Sequence, residues 1–179
     1  MANVQDFAKK YRAMGYTCAE STIRAANEAW DLNLPEEALK MLGGFGGGMH
    51  SGYVCGAISG GVAALSARYN KKDGHSSPIL SVKCKLFLNT VQERTGYLNC
   101  ADLMPIYKTP EENCDPTVVL ITGILDEVEA VELDIPEQLD YDLRYPPEGK
   151  PGFDNFYRRA KEQLAGKNSS VYMKDSFGC

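Results

Sequence analysis

Histidine is almost missing from this sequence: its 179 residues hold two, His50 and His75. His-based metal sites and most Ser-His mechanisms therefore have little to draw on. There is no CxxC pair, so zinc-ribbon and thioredoxin signatures are absent. Walker A, HExxH and GxSxG patterns are absent too. The first residues, MANVQDFAKKYRAMG, hold no apolar h-region, and no signal peptide is expected. The longest uncharged apolar run, Tyr53 to Ala67, is about fifteen residues and rich in glycine, whereas a spanning helix needs about twenty. No basic stripe with interleaved aromatics appears. The net charge is -5 and the pI near 5.1, which argues against a nucleic-acid binder. The expectation is a cytoplasmic protein with no membrane insertion and no nucleic-acid partner.

Cysteine, by contrast, is plentiful: Cys18, Cys55, Cys84, Cys100, Cys114 and Cys179. In an oxidising compartment six would suggest a disulfide framework. In a reducing one they more often mean metal binding or thiol chemistry. The length fits one domain with a sizeable core.

The sequence is organised around Met41 to Asn70, MLGGFGGGMHSGYVCGAISGGVAALSARYN. Five glycines in six positions open it, and Cys55 is expected about one turn into the helix that follows, with Ser51 as a cap. Gly56, Gly60 and Ala64 fall four apart, with Ala57, Gly61 and Ala63 beside them. At helical spacing a neighbouring helix can then pack almost backbone to backbone. The glycines cost such a helix roughly 1 kcal/mol each relative to Ala, so close packing or a site must offset them.

Further helices are predicted on either side. Val4 to Tyr11 is one, ending near Gly15. Thr17 and Glu20 form a capping box ahead of a helix to about Asp31, which places Cys18 at its first residue. Pro35 suits the first position of a short helix. Ser77-Pro78 opens a helix stopped at Gly96 and containing Cys84, read as an ordinary thiol. Asn99 caps another, with Cys100 first in it and Pro105 limiting it. Cys114 precedes Asp115-Pro116, read as cap and first position of a helix over Thr117 to Val131, although TVVLIT could be a strand. Leu133 to Gly152 is proline-rich and read as extended surface chain. Phe153 to Ala165 is read as an amphipathic helix ended by Gly166, and the polar tail to Cys179 as disordered.

The fold expected is all-α, a single-domain helical bundle. Residues 1–132 form the cysteine-motif part, and 133–179 an extension packing on or trailing from it. Three cysteines sit at or beside helix starts and the fourth follows a glycine loop, which favours one shared site at Cys18, Cys55, Cys100 and Cys114. A helix N-terminus lowers a thiol pKa, as both a redox thiol and a thiolate ligand require. Four sulfurs could also hold a metal or an iron–sulfur cluster. The amides of Gly46, Gly47 and Gly48 would cradle a thiolate or anion, with His50 and Gly56 facing whatever binds.

These residues also carry a resemblance. GYTCAES, GGFGGGMHSGYVCGAISG, GYLNCADL and Cys114 before an apolar helix resemble the redox-active family named for its C_GCAxxG_C_C cysteine pattern, over roughly Tyr11 to Val131. Cys55-Gly56-Ala57-Ile58-Ser59-Gly60 matches its CGAxxG core. The resemblance implies a small, mostly helical protein and an association with oxidoreductases or transporters, hence a redox partner. It assigns the family's four cysteines to Cys18, Cys55, Cys100 and Cys114. The function expected is thiol-disulfide or metal-thiolate redox chemistry. The competing readings are a non-catalytic metal carrier or sensor, and a structural protein with core cysteines.

Overall fold

Eight α-helices and no strand make up the described part of the computed structural model, which covers residues 3–175, with side chains to Gly166. They are α1 Val4–Ala13, α2 Cys18–Ala29, α3 Glu36–Lys40, α4 Gly56–Tyr69, α5 Pro78–Thr95, α6 Cys100–Tyr107, α7 Asp115–Glu129 and α8 Phe153–Asp175. The protein is an all-α single domain, as its sequence pattern predicts.

Several boundaries follow from local chemistry. The Thr17 hydroxyl accepts from the Glu20 amide while the Glu20 carboxylate accepts from the Thr17 amide, closing the predicted capping box of α2. Gly96 ends α5 in the left-handed region, where glycine carries no steric penalty. TVVLIT is helical, within α7. Pro105 lies inside α6 rather than ending it; only two residues follow, so little helix is lost. Pro35 is the N-cap of α3 and not its first residue. Gly166 does not stop the last helix, which runs on to Asp175. Cys179 lies outside the described residues.

Helix α4 is the centre of the packing, against α2 on one side and α5 and α7 on the other. Its small residues allow this. A Cβ at Gly60 would stand 2.6 Å from the Ala19 carbonyl oxygen, and one at Gly61 2.7 Å from the Phe87 ring. Ala57, Ile58, Ala64 and Leu65 of α4 are fully buried with Phe87, Ile121 and Leu125. Each large apolar side chain so buried stabilises the fold by about 1.5–3 kcal/mol. Leu143, Phe156, Ala160 and Leu164 join the same buried cluster, so the part of the chain beyond residue 132 shares this core. Gly60→Ala is expected to lower stability by a net ~1–2 kcal/mol in denaturant titration, because the clash with main chain outweighs the gain in helix propensity. A more stable variant would show that α2 can move away from α4.

Two polar groups finish helix ends, one half-buried and one in the core. The Asp126 carboxylate accepts from the amides of Val4 and Gln5 at the start of α1, 3.0 and 3.1 Å away. Lys83, only 2% exposed, donates through Nζ to the carbonyls of Val128 and Glu129 at the end of α7, 2.8 and 2.7 Å away. The helix C-terminus supplies the negative partial charge that this buried ammonium needs.

Candidate functional site

Each of the four predicted site cysteines stands at the start of a different helix. Cys18 is the first residue of α2 and Cys100 of α6. Cys55 is the N-cap of α4 and Cys114 the N-cap of α7. The structure corrects two expectations here: Cys55 precedes its helix instead of lying a turn inside it, and Ser51 caps nothing. The reason is the chain between them. Gly47, Gly48, Met49 and His50 are four consecutive residues with φ between 55° and 63°. For Met49 and His50 that costs roughly 1–2 kcal/mol each. The wide turn closes with the Tyr53 amide donating to the Gly48 carbonyl at 3.0 Å. A side chain on Gly48 would collide with the Tyr53 carbonyl oxygen and lie 2.9 Å from the Cys100 Cβ. At Cys114 the cap also comes one residue earlier than expected, with Asp115 already helical.

After the turn, the chain pairs with the approach to α6. The Cys55 amide donates to the Leu98 carbonyl at 2.9 Å, and the Cys100 amide to the Tyr53 carbonyl at 2.7 Å, flanking an antiparallel bridge between Val54 and Asn99. This register puts Cys55 and Cys100 on one face as diagonal neighbours, a relation with a typical separation of about 7–8 Å. Cys100 is accordingly among the groups acting on the Cys55 thiol. Cys18 comes from the other side: a Cβ on Gly56 would collide with its sulfur. The CGAxxG glycine is required there because α2 brings a sulfur onto the first turn of α4.

All four cysteines line one cavity of about 230 Å³. Gly46, Gly47 and His50 line it as well, whereas Gly48 and Gly56 are not among its lining residues. Leu103, Met104 and Val118 make the wall largely apolar. Cys84 is not part of it. The sequence reading missed Arg12, Thr17 and Thr117, which also face the cavity. Arg12 donates through Nε to Asp115 Oδ1 at 2.6 Å and through Nη1 to the Tyr16 carbonyl at 2.7 Å. The sequence marks it only as a basic residue in the last turn of α1. Its approach to the cysteines depends on α1 packing against α7.

The electrostatics reverse one expectation. Burial pushes the Cys55 thiol up to about 12; a Cys18 thiolate nearby adds to this, and the amides of Ala57 and Ile58 pull the other way. The thiols of Cys100 and Cys114 are also raised, first by burial and then by Cys18, while Lys108 opposes the rise at both. Desolvation therefore outweighs the helix N-termini expected to lower these pKa values. Cys18 is the common neighbour, felt by Cys55, Cys100 and Cys114 alike.

The donor set is soft and suits a thiophilic metal in composition. Its arrangement does not: among the described residues, no group of three or more His, Cys, Asp or Glu side chains is placed to hold a metal ion. The five cysteines whose state is described are all free thiols. No helix among the described residues is long and apolar enough to cross a membrane.

The family model described as "Putative redox-active protein (C_GCAxxG_C_C)" matches residues 16–128, which include all four cavity cysteines. An uncharacterised protein of Archaeoglobus fulgidus is 35% identical over 98 residues, covering 49% of this chain and 65% of the relative. The chain thus spans a little under two thirds of that relative's length. No solved structure matches. With its cysteine order, its CGAxxG core and more than half its length matched, the chain belongs to the C_GCAxxG_C_C family.

Proposed function

We propose that this protein performs thiol–disulfide redox chemistry, with Cys18, Cys55, Cys100 and Cys114 as the reacting thiols. One observation carries the reading: four cysteines from four helix starts, far apart in sequence, line a single small cavity. A thiolate attacks a disulfide sulfur, and a neighbouring thiol resolves the mixed disulfide. The wall supplies several neighbours for that second step. The family's description as redox-active supports the same chemistry.

The test is an equilibrium titration of the full chain in dithiol–disulfide buffers, read by intact mass and thiol count. Oxidation should remove two hydrogens per disulfide and consume thiols among the four cavity cysteines. Cys84→Ser should leave the transition in place. Four thiols still free in a fully oxidising buffer would reject the proposal. So would a metal found near one equivalent in protein purified anaerobically and lost in Cys18→Ser, since the sulfurs would then be closed ligands.

A further inference from the structure

We infer that the cavity takes a small disulfide bearing negative charge, with Arg12 as its recognition residue and Cys18 as the attacking thiol. This rests on the thiol–disulfide reading above and adds to it a substrate class and an order of events.

Access sets the size. The attacking thiol, Cys18, is half-buried on the cavity wall, so a disulfide must enter the cavity to meet it. The cavity, at about 230 Å³, falls below the roughly 300–1,000 Å³ of drug-sized ligand sites. A low-molecular-weight disulfide is the occupant that fits both limits.

Charge sets the sign. Arg12 is on the wall and is held in place by Asp115 and the Tyr16 carbonyl. Neither bond uses Nη2, which leaves one edge of a fixed guanidinium for a carboxylate. Lys108 also acts on Cys100 and Cys114, and Asp115 is the carboxylate acting on Cys114. These two cations are matched by Asp115 and by Glu20, whose carboxylate accepts from the Thr17 hydroxyl on the wall, so the surplus positive charge comes from the helix starts. Helices α2, α4, α6 and α7 all start at the cavity, each adding partial positive charge.

Position picks the nucleophile. Cys18 and Cys114 are half-buried, unlike Cys55 and Cys100, and of the two only Cys18 is the first residue of its helix. It is also the common neighbour of the other three. In the first step the Cys18 thiolate attacks one sulfur of the substrate disulfide. A Cys18–substrate disulfide forms and one thiolate leaves, taking up the proton that Cys18 gave. In the second, a neighbouring cavity thiol loses its proton and attacks the Cys18 sulfur. The second substrate thiolate leaves and takes that proton. Two protein thiols are oxidised by two electrons and one substrate disulfide is reduced to two thiols.

Three disulfides test this against the reduced full chain: 3,3′-dithiodipropionate, which is anionic; cystamine, similar in size and cationic; and insulin, a folded protein. The anionic probe should oxidise the protein at least ~10-fold faster than cystamine, a gain typical of a cleft of one sign. The ratio should shrink as salt rises from about 0.01 M to 1 M. Arg12→Gln should abolish the preference and Arg12→Lys retain part of it, while brief acid quenching should find the first mixed disulfide on Cys18. If Arg12→Gln does not fold, the charge ratio and its salt dependence in the parent chain still decide. Cystamine or insulin reacting as fast as the anionic probe would overturn the inference and leave thiol–disulfide chemistry standing, as would a first adduct on another cysteine. No oxidation by any of the three would overturn the chemistry itself.

Discussion

At pH 7 the alkylation of Cys55 is expected to run about fifty-fold slower than that of an unburied cysteine. Its thiol is pushed up to about 12 from the ordinary 9.0, which leaves roughly a thousand-fold less thiolate. The greater nucleophilicity of a more basic sulfur recovers about twenty-fold of that. Burial to 4% exposure slows it further. Mass-mapped labelling from pH 6 to 11, with unfolded chain as the reference, reads the ratio directly. Cys55 should label last at neutral pH, and its rate should keep rising about tenfold per unit up to pH 11, after an unburied cysteine has levelled off. Fast labelling at pH 7 would show that the α4 amides, not desolvation, control the thiol. The slow outcome has a mechanistic consequence. Cys55 is then a poor first nucleophile, and its place is the second step, where the disulfide is already beside it. The loop amides would accordingly shape the cavity without activating Cys55.

How much of this site was legible depended on how local its determinants are. The Thr17–Glu20 capping box closes within four residues, so the position of Cys18 could be read directly. The small residues of α4 announced close packing, and Gly60 and Gly61 do meet Ala19 and Phe87. The position of Cys55 could not be read in the same way. It is fixed by a hydrogen bond to Leu98 and by a left-handed turn containing Met49 and His50, and non-glycine residues do not advertise that conformation. Arg12 was invisible because its role depends on α1 crossing α7. The thiol pKa values misled for a related reason: a helix start is visible in a sequence, and the depth at which it is buried is not. Lys83 shows the same limit, since a lysine on a helix gives no sign that it will be buried under the end of α7.

Stability is expected to fall steeply above pH 9, and Cys55 to be one cause. In the fold Cys55 keeps its proton to about 12 and Cys84 to about 11, each raised by burial from an ordinary value of 9.0. Below pH 9 both states of the chain are protonated at these thiols, and the contribution is fully present. Between pH 9 and 11 the unfolded chain has lost both protons while the folded chain holds them. The unfolded state then binds fewer protons, so stability declines as pH rises. Each thiol contributes about 1.4 kcal/mol per pH unit, and two thiols over two units amount to about 5 kcal/mol, on the scale of a whole domain's stability. Tyr69, raised by burial as well, adds a decline of the same sign at higher pH. Cys55→Ala isolates one contribution. In reducing buffer its urea midpoint should lie below the parent's at pH 8, where the substitution only removes buried volume. The gap should close by about 1.4 kcal/mol per unit above pH 9 and reverse before pH 12, because alanine has no proton to lose. Parallel curves for the two proteins across this range would mean that the folded chain accommodates a Cys55 thiolate. The cavity would then be one that stabilises buried negative sulfur, and Cys55 would regain a claim to the first step.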